Sequence, residues 1–254
     1  MAVSAILLTA LIASHGFAQA AKAPAPASYL KEATISESAG AVHVDANSPR
    51  PLEQILAALR QKYGWIVAYE DPQYTAVSDL LDAPVGMTSG KVPAGGAFSV
   101  QFPAKAPDEE KTLRAVIDSY NQSKNPGRFE LRKGAQGSVY VVGTGARDEK
   151  GAISNQPVLL DLPVTLAAEE RSITDTVTKI CEQISTQSHI DVTLGIYPRT
   201  VLDNTPVKLG GNKTPARDLL LQSLQASKKN LYWTLIFDPT SQGYFLSIHS
   251  AVSR

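Results

Sequence analysis

The order of hydrophobic patterns repeats along this chain, and that repetition limits its architecture more than any single motif does. In the first half, apolar residues at 52, 55, 56, 59 and 63 have helical spacing, with Pro51 at the first helical position and Gly64 as the stop. Trp65 to Tyr69 then reads as a buried strand, Glu70 to Ala97 as a loop-rich insertion, and Phe98 to Phe102 as an alternating strand. Asp108 caps a helix with the stripe Leu113, Val116, Ile117 and Tyr120, and Arg128 to Arg132 and Ser138 to Val142 flank a glycine turn. The second half replays this order. Val158 to Leu166 is strand-like, and Ser172 with Asp175 opens a helix carrying Ile173, Val177, Ile180 and Ile184. Asp191 to Tyr197 and Pro206 to Leu209 read as strands. Thr214 caps and Pro215 opens a helix holding Leu219, Leu220 and Leu224, and Leu231 to Phe237 and Tyr244 to Ile248 form a closing hairpin. Overlaid, Asp118 to Lys124 sits on Gln222 to Lys228, and Phe129 and Leu131 fall on Trp233 and Leu235. The expectation is an α+β fold of two tandem repeats, each a small strand-helix-strand-strand-helix-hairpin sandwich.

A chain of 254 residues has room for two such units of roughly 100 to 120 residues. Lys plus Arg and Asp plus Glu each total 24, and neither half carries the basic excess of a nucleic-acid binder. One cysteine permits no internal disulfide, thiolate metal cluster or redox pair. At the start, the apolar run Ala5 to Ala13 is too short to span a bilayer, and Ala18-Gln19-Ala20 is the small-x-small pattern a signal peptidase accepts. No Lys or Arg precedes that run. These features predict a signal peptide over 1–20, no integral membrane segment in the mature chain, and a periplasmic or secreted bacterial protein. A flexible Ala/Pro-rich segment over 21–39 follows, then a first unit over 40–144 with its insertion at 70–97. The small, charged stretch 145–156 reads as a linker, and a second unit occupies 157–254.

The segment Pro51-Leu-Glu-Gln-Ile-Leu-Ala-Ala-Leu-Arg-Gln-Lys-Tyr-Gly-Trp65 is similar to the first helix and following strand of the short secretin and TonB N-terminal domain. Val207 to Leu209, Thr214 to Leu224 and Leu231 to Trp233 resemble its second half, where a strand leads into a Leu-rich helix and then an aromatic strand. The resemblance covers most of 157–249 and, more loosely, 40–143. It implies a periplasmic interaction module that stacks into rings ahead of an outer-membrane pore or contacts a regulator ahead of a transport barrel. No barrel segment lies behind the last strand in this sequence, so pore formation and transport are not carried over.

Residues that carry chemistry are sparse. His15 lies in the signal segment, His43 alternates with Val42 and Val44, His249 ends the last strand, and His189 stands two before Asp191 in a cap-like position. No His-x-x-x-His pair, calcium loop or nucleophile elbow occurs, and no metal or other cofactor is expected. Gly143-Thr144-Gly145 lacks the third glycine of a dinucleotide fingerprint. Asp108-Glu-Glu110 and Glu169-Glu170 are expected at or just before helix starts, where the dipole favours carboxylates. Cys181 is expected in or at the edge of the core.

These features favour a non-catalytic protein acting through protein contacts or self-association, with no nucleic-acid partner. Two alternatives stay open: a hydrolase whose site is assembled from scattered residues, and a periplasmic small-ligand or cell-wall binding protein. In the second, Tyr74, Met87, Gly90, Gly95 and Gly96 would frame a lidded pocket. The candidate contact face comes from comparing the closing hairpins. Their outward residues are Arg128, Glu130 and Arg132 in the first half but Tyr232, Thr234 and Ile236 in the second, more apolar than a solvated face needs.

Overall fold

A computed structural model describes residues 32–83, 90–105, 107–134 and 137–251. The signal segment, most of the Ala/Pro-rich stretch and Met87 lie outside the described residues. The fold is α+β.

In the first half, strands β1 (Thr34–Ser38) and β2 (Ala41–Ala46) form a hairpin, and β6 (Phe98–Pro103) pairs with β2. Helix α1 (Pro51–Tyr63) forms where the apolar spacing predicts it, and Gly64 ends it in the left-handed region at φ 72°. Strand β3 (Val67–Glu70) follows, buried at all four positions. Helix α2 (Glu109–Gln122) starts at Asp108, whose carboxylate accepts from the Lys111 amide, a cap worth about 1 kcal/mol. The hairpin β7 (Arg128–Lys133) and β8 (Val139–Arg147) closes this half.

In the second half, β10 (Pro163–Ser172) pairs with β12 (Pro206–Pro215), and α3 (Ile173–Ser188) is capped by the Ser172 hydroxyl and ends at His189. Strand β11 (Val192–Leu194) and the single helical turn α4 (Arg199–Leu202) come next. Helix α5 (Ala216–Ala226) and the hairpin β13 (Leu231–Asp238) and β14 (Gly243–Ser250) complete it.

Some pairings in the two halves correspond. β3 runs parallel to β8 with Val67 opposite Val139, and β11 runs parallel to β14 with Val192 opposite Tyr244. From Phe129 onward the closing hairpins share one register, with Leu131 opposite Val141 and Leu235 opposite Leu246, while β7 alone has a bulge before Phe129. The two three-strand groups then join into one sheet, because β3 pairs in parallel with β13. The strand order is β11-β14-β13-β3-β8-β7, and a seventh strand, β9 (Ile153–Asn155), pairs with β8.

The joined groups turn opposite faces to their helices. Val67, Tyr69, Phe129, Val139 and Val141 belong to the core cluster that includes α1 and α2 residues, whereas Trp233, Leu235, Tyr244 and Leu246 belong to the cluster of α3 and α5. At the seam each helical layer overhangs its neighbour. Ala68, Tyr140 and Val142 are buried in the second cluster, and Ile236 packs against the first.

Several local expectations change. The linker at 145–156 is a hairpin, in which β8 runs through Arg147, Asp148 bonds to Ala152, and β9 returns along 145–147. Thr34–Ser38 is a strand, although its sequence belongs to the segment expected to be flexible. The insertion contains the short antiparallel pair β4 (Leu80–Asp82) and β5 (Lys91–Pro93). Glu169 and Glu170 lie on β10 just before α3, and β12 runs on to Pro215, so the Thr214 side chain does not cap α5. In each case a long-range pairing partner overrides the local signal.

Because one ladder crosses both halves, they should unfold together. Calorimetry is expected to show one transition whose calorimetric and van't Hoff enthalpies agree. Two resolved transitions would show that the β3–β13 seam opens separately.

Candidate functional site

The seam holds a cluster of buried polar side chains. β3 ends in Glu70, and Asp71 follows, two carboxylates that are 2% and 4% exposed. Buried charges persist only when paired and hydrogen-bonded, and both are. Arg217, in the first turn of α5, holds Glu70 with both terminal nitrogens, the Nη2 contact being 3.0 Å. Trp233 Nε1 donates to the same carboxylate at 3.1 Å. Arg217 also reaches Asp161 at 2.9 Å and lies 5.0 Å from the Tyr140 ring centre. Burial works against the Arg217 charge, but Glu70 and Asp161 more than offset it and raise its pKa.

Asp71 Oδ1 accepts from the Tyr69 hydroxyl at 2.7 Å, and Oδ2 accepts from Arg50 Nε at 2.6 Å and from the Phe237 amide at 3.1 Å. Arg50 Nη2 donates to the Phe237 carbonyl at 2.6 Å, so one Arg–Asp fork grips both backbone groups of a β13 residue. Burial, reinforced by Asp71, pushes the Tyr69 and Tyr74 hydroxyls well above the usual phenol range. Gly143 of β8 is required here, since a Cβ would strike the backbone of Asp71 and Pro72. These carboxylates are saturated by internal donors; their arrangement locks two strands together and presents no proton acceptor to a cleft.

The residues read from sequence as a contact face are covered by the chain itself. Thr234 is buried and bonds His249 Nε2 at 3.1 Å, Ile236 packs on the first-half core, and Arg60 of α1 lies 4.5 Å from the half-buried Tyr232 ring centre. Tyr232, Thr234 and Ile236 thus meet groups of the same molecule: Arg60 of α1, His249 of β14 and the first-half core. The apolar character noted in sequence belongs to the seam.

Other candidates take structural places. His189 ends α3 with φ 57°, and Asp108 and Ser172 cap helices. Cys181 is buried, which pushes its thiol up to about 12. Tyr74 is buried against Asp71 and does not line an opening. A cavity of about 250 Å³ lies beside α1, lined by Glu53, Gln54, Ala57 and Gln61. Another of about 420 Å³ lies between α2 and β7. Among the described residues, no three His, Cys, Asp or Glu side chains are grouped to hold a metal ion, and no helix is long and apolar enough to cross a membrane.

Comparison with family models, curated proteins and solved structures gave no match.

Sequence reasoning missed Arg50, Glu70, Asp71 and Arg217. One signal was available: Arg217 shares the buried stripe of α5 with Leu220 and Leu224. A cation on an apolar stripe calls for a buried acid. Arg217→Met is expected to destabilise the protein by about 3–5 kcal/mol in urea unfolding, because it strands Glu70. Adding Glu70→Gln should restore more than half of the loss.

A second expectation concerns pH. Burial, with Arg60 nearby, lowers the His249 pKa from its ordinary 6.5. The unfolded chain therefore binds this proton first, and the stability it contributes is present above pH 6.5 and lost as pH falls below that value. Between pH 7.5 and 5.5 (about one unit either side of the free-histidine value), His249→Gln should lose less stability than the parent.

Proposed function

We propose that this chain is a non-catalytic, periplasmic protein-interaction module of the bacterial envelope, built from two copies of a unit resembling the short secretin and TonB N-terminal domain. The observation that carries the reading is how its halves recognise each other. β3 adds to the edge of β13 and is fixed there by side-chain forks, so the unit's own edge is a strand-accepting surface. The coincident registers of β3–β8 and β11–β14 support common descent of the halves. The buried acids of the seam are consumed by internal partners, which favours contact over catalysis. The signal-like segment at 1–20 supports export.

The test is made in cells with the full chain carrying a photo-crosslinkable residue at Lys133 on β7, or at the exposed Val77 as a control position. Chain recovered from the periplasmic fraction is expected to begin near Ala21 and to form discrete protein adducts from position 133. Cytoplasmic, uncleaved chain, or equal adducts from both positions, would refute the reading.

A further inference from the structure

The seam inside the molecule leaves its two halves of contact surface unfilled at the ends of the sheet. We propose that copies of this chain associate head to tail, with β11 of one copy adding in parallel to β7 of the next and Phe245 entering the cavity between α2 and β7. This rests on the interaction reading and goes beyond it by naming a second copy as the partner.

The geometry follows from the pairing pattern. Passing from the β11-β14-β13 group to the β3-β8-β7 group preserves the order across the sheet, reverses every strand and exchanges the helical faces. That relation is a half-turn about the axis across the strands plus a step along it. Applied again, it brings a second copy's β11 alongside β7, parallel to it, in the first copy's orientation. The contact is heterologous and does not close on itself.

The ends match the seam at Leu194 and Leu131, whereas Ile196, the counterpart of Asp71, donates its amide to the Ser247 hydroxyl and accepts from the Ile248 amide, so it turns back to β14. At the seam, Leu235 of β13 accepts from the Asp71 amide. Its counterpart on β7 is Leu131. Phe129 turns its amide and carbonyl away from β8, where the Asn121 side chain meets them, so Leu131 and Lys133 turn theirs to the same open edge by strand alternation. At the other end, Val192 turns its backbone groups toward the Ser185 hydroxyl, so Leu194 presents its groups outward as Tyr69 does in β3.

Side chains agree. Tyr140 fills the seam between α5 and β13, 5.1 Å from the Trp233 ring, and is 2% exposed. Its counterpart on β14 is Phe245, which is 42% exposed, and Ile196 just past β11 is 77% exposed. The slot that takes Tyr140 has Leu221 and Trp233 on its walls. Their counterparts Ile117 and Phe129 line the cavity of about 420 Å³ at the other end of the sheet, with Arg114 and Asp118 at its rim. An aromatic ring lacking a slot and a slot lacking a ring thus stand at opposite ends of one sheet.

The external joint is the weaker of the two. The back of β7 carries Arg128, Glu130 and Arg132 where β13 carries Tyr232, Thr234 and Ile236, and no Arg–Asp fork stands beside Ile196. Association should be concentration-dependent and incomplete.

Sedimentation velocity of the full chain over a wide concentration range tests this. The parent should form dimers and longer species as concentration rises. Phe245→Glu, which alters the ring end, and Asp118→Trp, which fills the slot, should each weaken association at least about tenfold while far-UV circular dichroism stays unchanged. Equimolar mixing is decisive: the Phe245→Glu chain keeps its slot and the Asp118→Trp chain keeps its ring, so together they should form dimers but nothing longer. A parent that stays monomeric throughout, or folded variants that associate like the parent, would overturn the proposal. Position 133 adducts with a different protein would then leave the interaction reading standing.

Discussion

Two carboxylates that cannot reach water hold this molecule to a single arrangement. Glu70 and Asp71 are consecutive, so strand geometry sends one toward each face of the sheet. Each must find its cation and donors on its own side. Arg217 and Trp233 from the second half meet Glu70, whereas Arg50, Tyr69 and the Phe237 amide meet Asp71. A slip of one residue between β3 and β13 would exchange the two acids between faces and strand both. Buried ion pairs add little net stability over a well-packed apolar contact, but leaving one unmatched is expensive. The pair therefore selects the register more than it strengthens it.

From that register the opposed helical layers follow. With β3 parallel to β13, the first half's inward residue Tyr69 stands beside the second half's outward Thr234. Each half must then cover the back of the other's edge strand. α1 does this for Tyr232 and the first-half core for Ile236, and α5 does it for Ala68 and Tyr140. The interlock replaces a linker-separated pair of domains with one shared sheet.

The sequence carried the helices well, because their stripes, caps and stops are local. Pro51, Gly64, Asp108 and Ser172 mark ends that the structure keeps. The hairpins were legible from alternation. The seam was not. Its partners lie 147 and 166 residues apart, and no periodicity encodes a contact at that separation. The same gap explains the covered face: Tyr232 meets Arg60 of α1 and Ile236 packs on the first-half core, both far upstream. The stretch at 145–156 misled for a related reason. Small and charged residues suit a linker, yet they suit a hairpin equally once β8 offers an edge.

The separation of the seam's partners also bears on when the fold can form. Synthesis runs from the N-terminus, and Asp71 emerges long before the Phe237 amide that it grips. Until then a nascent first half holds β3 with one side unpaired and two acids lacking their second-half donors. Contacts so distant along the chain are slow to close, and the waiting intermediate exposes a strand edge. The first half is therefore committed to remaining loose until the last hairpin arrives. Such a chain favours folding after release over folding during synthesis, and a truncation within the final hairpin would be felt 160 or so residues upstream, at β3.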